Sequence, residues 1–181
     1  MVARAARPRP DTPPASSEAT RHVMQANRSK DTKPELKVRA ALREAGLTGY
    51  RLHWKKAPGR PDVCFPGRRV AIFVHGCFWH RCPHCSPSRP KTHSAFWQDK
   101  FARNRARDAR DSSRLVEAGW TVVVVWECRL KGARLEPTMR EVVSVVRAAG
   151  EGHLPARVIE VGSSPAWVLR MRRSRRKTRR S

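Results

Sequence analysis

Acidic residues are scarce in this sequence, which has 15 Asp and Glu against 39 Lys and Arg and a formal net charge of +24 over 181 residues. A charge of this sign and size favours polyanionic partners, of which nucleic acid is the commonest, with an anionic membrane surface as the alternative. The sequence also lacks an apolar run long enough to span a bilayer and a secretory signal at its N-terminus. We therefore expect a cytoplasmic protein with no membrane partner.

Cysteines are few and odd in number, with five in the chain. Three have short spacings, and Cys64 and Cys128 stand apart from them. In a reducing compartment this pattern predicts a metal site plus one spare thiol rather than a disulfide framework.

The order of apolar and turn-forming stretches predicts an α/β domain, with a mixed central sheet of about four strands flanked by helices. We expect one folded domain over residues 20–150, between a disordered N-terminal tail over residues 1–19 and a C-terminal extension over residues 151–181. The extension ends in a basic, disordered tail (170–181), which is either a non-specific DNA arm or a solubilising segment. The predicted helices cover residues 20–27, 32–45, 94–117 and 137–149, and the predicted strands cover residues 50–54, 62–65, 69–74 and 121–126.

Residues 75–93 show no apolar periodicity and are predicted to form an irregular loop. Such a loop needs an additional cross-link to be ordered, which a bound zinc ion would supply. Zinc takes four thiolate or imidazole ligands in a tetrahedron. Four protein ligands leave no position for water, so this zinc would be structural rather than catalytic. His84 competes with Cys85 for the third position, and the alternative to a metal is a group of ordinary buried thiols. The candidate ligands are Cys77, Cys82, Cys85 and Cys128.

A candidate hydrolytic site begins at Asp62, which follows Pro61 at the start of a predicted strand. A carboxylate there suits Mg²⁺, which would polarise a phosphate and supply hydroxide. Pro-Asp is the first half of the PD-(D/E)xK nuclease pattern, but the next strand offers no second acid or lysine and is followed by His75. Together with His80 it could activate water and protonate a leaving oxygen, although ordinary surface or core histidines are the alternative.

Three further features each have two interpretations. Glu35 fits a capping box with Thr32 as well as a role near the metal. Phe78 and Trp79 fit core packing as well as contact with DNA. One face of the helix over residues 94–117 is either a rail for phosphates or a solvated surface, and it carries Arg103, Arg107, Arg110 and Arg114.

At these residues the sequence resembles the very short patch repair (Vsr) DNA mismatch endonuclease family. The resemblance covers about residues 20–135 and includes the highly specific string Gly-Cys-Phe-Trp-His over residues 76–80. It implies a PD-(D/E)xK-like (restriction-endonuclease-like) fold with a structural zinc and a Mg²⁺-dependent DNA endonuclease. Such an enzyme nicks duplex DNA beside the thymine of a T·G mismatch left by deamination of 5-methylcytosine. We expect a monomer that acts at the nucleoid. The matching residues lie at 28–32, 58–62, 73–80, 96–97, 104–108, 115, 119–120 and 125–128.

The resemblance also implies a role for each matching residue. Asp62 would be the catalytic metal ligand, joined by the backbone carbonyl of Val74. His80 would activate water, with His75 as the second active-site histidine. The supporting acidic residues would be Glu35 and Asp108, the latter orienting a histidine. The aromatic wedges entering the DNA next to the weakly stacked mismatch would be Phe78, Trp79 and Trp97.

Two rival functions remain at this point. One is a restriction-type nuclease of the same fold that acts on matched sites. The other is a zinc-stabilised DNA-binding module without catalysis, which Asp62, His75 and His80 argue against because binding alone needs none of them.

Overall fold

The computed structural model describes residues 30–162 together with Glu18, Arg21 and His22. Arg21 and His22 are helical, in agreement with a helix over residues 20–27, and the other residues of that predicted helix lie outside the described part. The tails predicted over residues 1–19 and 170–181 also lie outside it, apart from Glu18. Among the described helices, none is long and apolar enough to cross a membrane.

The described chain forms one five-stranded sheet with helices on both faces. Short 3-10 segments follow β2 (Pro66–Arg68) and β4 (Glu127–Leu130 and Gly132–Arg134). The helices are α1 (Lys33–Glu44), α2 (Cys77–His80), α3 (Ser94–Glu117) and α4 (Leu135–Gly150). The strands are β1 (Arg51–Leu52), β2 (Val63–Phe65), β3 (Val70–His75), β4 (Thr121–Trp126) and β5 (Val158–Glu160).

The sheet is mixed, as predicted, with the strand order β1-β2-β3-β4-β5. The pairs β1–β2 and β2–β3 are antiparallel, whereas β3–β4 and β4–β5 are parallel. Each parallel pair is joined through a helix, α3 or α4, because parallel neighbours need a long crossover. The fifth strand lies beyond residue 150, so the segment assigned to a C-terminal extension supplies one edge of the sheet.

The interior strand β4 explains the two layers of the core. All six of its residues are buried, as an apolar strand covered on both faces requires. Val123 and Val125 pack on the side of α1 and α4. Val122 and Val124 pack on the opposite side, with Leu115 of α3.

Helix α1 begins with the predicted capping box. The Thr32 hydroxyl accepts a hydrogen bond from the Glu35 amide at 3.4 Å and donates to the Glu35 carboxylate at 2.8 Å. The same carboxylate accepts from the Asp31 amide at 3.0 Å. These bonds satisfy amide groups that have no partner within the helix.

Three sequence-based predictions differ from the structure in the length or kind of the element, beyond shifts of one or two residues at other boundaries. Strand β1 has two residues instead of five, and His53 leaves it with a φ of 45°. Between the predicted strands over residues 62–65 and 69–74, Pro-Gly predicts a hairpin turn, whereas the chain forms a 3-10 segment over Pro66–Arg68, followed by Arg69 with a φ of 51°. Residues 75–93 were predicted as an irregular loop, but they contain the helical turn α2, which has too few residues to show a period.

Candidate active site

The carboxyl ends of β3 and β4 bring the candidate side chains together. In the parallel register His75 lies opposite Trp126. A cysteine follows the last residue of each strand by two positions, Cys77 after β3 and Cys128 after β4. Adjacent parallel strands thus place their following segments side by side, at the edge where α/β sheets commonly hold ligands.

Asp62 reaches the same edge from β2. Val63 pairs with Ile72 in the antiparallel register, which sets Asp62 beside the end of β3. Its Oδ2 accepts a hydrogen bond from the Val74 amide at 2.7 Å. The carboxylate is therefore fixed next to the Val74 backbone, where the family resemblance expects a carbonyl ligand.

The electrostatic setting of Asp62 suits a cation. Burial raises the pKa of Asp62 to about 7; the Val74 amide acts against this shift, and the nearby Glu35 carboxylate adds to it. A carboxyl group held in this way gains stability from a positive charge at its oxygens. The hard oxygen donors of the site match the preference of Mg²⁺.

His75 and His80 lie together on the other side of the same cleft. Their rings stack with centroids 4.0 Å apart, and His80 Nδ1 bonds to Asp108 Oδ2. Burial tends to raise the pKa of Asp108, but the hydrogen bond and charge of His80 lower it overall, so the carboxylate is ionised. Burial lowers the pKa of His75 to about 3, with His80 adding to the effect, so this imidazole is neutral.

The cleft that these groups line has a volume of about 1230 Å³. Asp62, His75, His80 and Asp108 all contribute to its wall, as does Glu35 of α1. The residues predicted as catalytic thus face a single space. A phosphodiester in that space would meet one carboxylate suited to a cation and an imidazole held by a second carboxylate.

Sequence reasoning missed His53, which contacts two carboxylates of the cleft. Its Nε2 lies 3.5 Å from Glu35 Oε2, and its Nδ1 lies 3.7 Å from Asp62 Oδ1. Arg39 also joins this group, with its guanidinium bonded to Asp31 and 3.0 Å from Glu35 Oε2. The only sign of His53 in the sequence is that a histidine lies within the predicted strand over residues 50–54. The Arg39 charge fills the space between the two acids, so this group is an ion-pair network rather than a second metal site.

The four sulfur atoms predicted as zinc ligands form one cluster. The Sγ atoms of Cys77, Cys82, Cys85 and Cys128 lie within 4.8 Å of one another. Cys82 Sγ and Cys128 Sγ are 3.7 Å apart. Zinc–sulfur bonds of about 2.3 Å in a tetrahedron place sulfurs roughly 3.8 Å apart, so the donor set fits zinc in both chemistry and spacing.

His84, the alternative zinc ligand, and Cys64, the remaining cysteine, are not part of this cluster. His84 Nε2 is 3.3 Å from Glu160 Oε2 of β5, and the geometry favours Cys85 as the third ligand. Cys64 is fully buried in β2, and burial raises its pKa to about 12. This is the expected spare thiol, protonated and inert.

The predicted DNA wedges belong to an aromatic group beside the cleft. The ring of Phe78 lies 5.0 Å from that of Trp79 and 5.5 Å from that of Trp97. Phe101 is buried beneath them, whereas the three wedge candidates are half-buried. The Asn104 amide donates to the Trp79 carbonyl at 3.0 Å and ties α2 to α3. Packing and partial exposure therefore coexist, and the two interpretations of these rings are compatible.

The arginine face of α3 is exposed along the helix. Arg103 pairs with Asp99 at 3.0 Å, Arg107 with Asp108 at 3.3 Å and Arg110 with Asp111 at 3.5 Å. All three arginine side chains are more than half exposed, and ion pairs made by such exposed cations contribute little to stability. The guanidinium groups therefore remain free to exchange these partners for phosphates.

Comparison with known proteins places these residues in a family context. A family model described as DNA mismatch endonuclease Vsr matches residues 15–86. Among curated proteins, the chain is 44% identical over 129 residues to the Type II nicking enzyme V.XorIIP of Xanthomonas oryzae pv. oryzae. That alignment covers 71% of this chain and 94% of the relative.

Two further relatives agree with this result. The DNA mismatch endonuclease Vsr of Escherichia coli is 44% identical over 110 residues, which cover 60% of this chain and 69% of that protein. The Type II nicking enzyme V.NmeAIP of Neisseria meningitidis is 36% identical over 129 residues, which cover 68% and 91% respectively.

Proposed function

Because the chain belongs to the Vsr DNA mismatch endonuclease family, we propose that it nicks one strand of duplex DNA beside the thymine of a T·G mismatch. The observation that carries this proposal is one cleft that joins Asp62 with the His75–His80–Asp108 group, next to a half-exposed aromatic group. Binding alone requires neither the buried carboxylate nor the carboxylate-held imidazole. The choice of T·G as the mismatched base pair comes from the family resemblance.

His80 acts as the general base. Ionised Asp108 holds the proton on Nδ1, so Nε2 carries the lone pair that takes a proton from water. The water oxygen attacks phosphorus, and the bond from phosphorus to the leaving oxygen breaks with its electron pair going to that oxygen, which takes a proton from solvent. Asp108 fixes the tautomer and orientation of the ring and stabilises the imidazolium that forms.

His75 supports this step as a neutral group. Its ring stacks on that of His80, with centroids 4.0 Å apart, and makes an edge contact with the Trp126 ring at 5.2 Å. A neutral imidazole can donate one hydrogen bond to a phosphate oxygen without a charge that would raise the cost of protonating His80. Its burial maintains that neutrality.

Asp62 and the Val74 carbonyl are the residues that would hold Mg²⁺, which would supply Lewis-acid polarisation of the phosphodiester. The Val74 amide fixes the orientation of the carboxylate, so its oxygens are already directed when DNA arrives. The cysteine cluster would hold the structural zinc and keep α2 against the end of β4.

Mismatch recognition rests on Phe78, Trp79 and Trp97. A T·G wobble pair stacks weakly, so separating it from its neighbour costs less than opening a matched step. Half-exposed rings can enter the gap and bend the duplex. The exposed arginines of α3 contact phosphates, which positions the cleft without reading sequence.

Duplexes carrying one T·G pair in varied contexts test this function, each with a fully matched control and a label on either strand. With Mg²⁺, zinc-loaded protein is expected to nick the thymine strand of T·G duplexes and to leave the controls intact. Equal cleavage of matched duplexes would favour the restriction-type rival. The absence of a nick in every context, with Mg²⁺ present, would overturn the proposal.

Substitution of Asp62 separates catalysis from binding. Asp62→Asn keeps the shape of the side chain but removes its charge, so nicking is expected to be lost while T·G binding in a gel-shift assay is retained. Glu136→Gln is the matched control, because Glu136 is an exposed carboxylate paired with Arg140 on α4. Full nicking by Asp62→Asn would remove Asp62 from the mechanism.

A further inference from the structure

The His53 imidazole joins the two carboxylates that flank the proposed metal position. It extends from the end of β1, between α1 and the turn that precedes Asp62. Its side chain is 16% exposed, that of Glu35 is 5% exposed and that of Asp62 is 21% exposed. The ring is thus largely removed from solvent between two acids and has few alternative partners.

The contacts of His53 specify which nitrogen carries its proton. Arg39 Nη2 lies 3.3 Å from His53 Nε2, and a guanidinium can only donate hydrogen bonds. With Nε2 as the acceptor of this bond, the proton of the neutral ring resides on Nδ1. Glu35 Oε2 lies 3.5 Å from Nε2, and the same Arg39 Nη2, 3.0 Å from that oxygen, can donate to both atoms. Nδ1 lies 3.7 Å from Asp62 Oδ1, longer than a hydrogen bond, so the two groups must approach each other for Nδ1 to donate.

Two donors would then hold the Asp62 carboxylate, one at each oxygen. The Val74 amide donates to Oδ2 at 2.7 Å, and His53 Nδ1 faces Oδ1. A carboxylate fixed at both oxygens keeps one lone-pair direction on each oxygen for a cation. Partners of this kind orient metal ligands, and their loss commonly weakens metal binding by 10- to 100-fold.

We propose that His53 is a positioning residue, which orients Asp62 for divalent cation binding by donating from Nδ1 while Arg39 holds its Nε2. This proposal rests on the proposed function for the identity of the site. It extends that function because the chain from Arg39 through His53 to Asp62 links the first helix to the metal position. A purely structural tie between α1 and the turn is the competing explanation.

A pair of substitutions distinguishes the two explanations. His53→Gln keeps an N–H group on a side chain long enough to reach Asp62, whereas His53→Met has similar length and no donor. Mn²⁺ binding is measured by electron paramagnetic resonance of the free ion, on zinc-loaded protein without DNA. His53→Met is expected to weaken Mn²⁺ binding by about 10-fold or more, and His53→Gln to remain within about threefold of wild type. His153→Gln is the control, because His153 is exposed and remote from the cleft.

Each outcome supports or overturns the positioning role. Equal Mn²⁺ affinity in wild type and His53→Met would overturn it, as would an equal loss in both variants. If circular dichroism shows that His53→Met is unfolded, His53→Ser takes its place, because its hydroxyl ends one bond short of the Nδ1 position that faces Asp62, and this variant should bind Mn²⁺ as weakly as predicted for Met.

Failure of the proposed function gives a different pattern. If wild type binds Mn²⁺ through Asp62 and never nicks DNA, the proposed function fails while the His53 comparison still decides the positioning role. If wild type nicks T·G duplexes and His53→Met leaves both Mn²⁺ affinity and the half-saturating Mg²⁺ concentration unchanged, only the positioning role fails. If wild type binds no Mn²⁺ even at millimolar concentrations, the positioning role is overturned, and the T·G nicking assay alone decides the proposed function.

Discussion

Replacing Gly59 with alanine tests how tightly the turn before Asp62 is packed. Gly59 has a φ of 70°, and a Cβ there would lie 3.0 Å from Asp111 Cβ and 3.1 Å from Phe73 Cζ. Asp111 Cβ is fixed to the backbone of α3 and Phe73 belongs to β3, so neither atom moves aside easily. Gly46 provides the matched control, since its φ is 72° and a Cβ there meets nothing within 4 Å.

The two substitutions share one cost and differ in another. A left-handed backbone costs alanine about 1–2 kcal/mol at either position. Overpacking at a close contact adds about 1–3 kcal/mol. We therefore expect Gly46→Ala to lower the free energy of unfolding by about 1–2 kcal/mol and Gly59→Ala by about 2–5 kcal/mol.

Urea unfolding of both zinc-loaded variants measures these losses, provided that the slope of unfolding free energy against urea concentration is the same as in wild type. Nicking of a T·G duplex by the same samples gives a second readout. The turn delivers Asp62, so Gly59→Ala is expected to slow nicking by more than its unfolded fraction explains, whereas Gly46→Ala should not. Equal stability losses in the two variants would refute the packing argument.

Three other predictions address the cysteine cluster, the histidines and the tail. Cys128→Ser is expected to lower zinc content and stability together, whereas Cys64→Ala keeps its zinc; unchanged zinc in Cys128→Ser by elemental analysis would place the fourth ligand elsewhere. His75 is expected to show no imidazole titration by NMR between pH 5.5 and 8, since burial lowers its pKa to about 3. The unfolded chain binds that proton near pH 6.5, so stability due to His75 falls as the pH drops below about 6.5. Deleting residues 170–181 should reduce the salt dependence of DNA binding and keep the mismatch preference, and a lost preference would show that the tail takes part in recognition.

Long elements with a strong apolar pattern were predictable from the sequence. Helix α3 and strand β4 have the predicted bounds, Ser94–Glu117 and Thr121–Trp126. In α3 a stripe at steps of three and four buries Phe101 and Leu115, and β4 is a continuous β-branched run ending in Trp126. Such patterns carry enough repeats to identify both the element and its buried face.

Short elements could not be predicted, because tertiary contacts form them. Strand β5 has three residues, of which only Ile159 is buried, and it exists because it pairs with β4. The four-residue turn α2 is held by Asn104 and by the cysteine cluster. No local pattern marks either one.

The residues of the candidate site likewise include some that the sequence indicated and one, His53, that it did not. Asp62, His75 and His80 stand in a short specific string, so their types and spacing indicated chemistry before any coordinates. His53 has its partners on three separate segments, around Glu35, Arg39 and Asp62. A lone histidine in a predicted strand gave no sign of this convergence, because it depends on how α1 packs against the sheet.

The single turn of α2 directs consecutive side chains to separate destinations. Successive residues of a helix point about 100° apart: Cys77 reaches the sulfur cluster, Phe78 and Trp79 reach the aromatic group, and His80 turns back to Asp108. Inserting or deleting one residue here would rotate all of these assignments simultaneously. A change of length in this segment would therefore disturb the sulfur cluster, the aromatic group and the His80–Asp108 pair together, whereas a single substitution would disturb one of them.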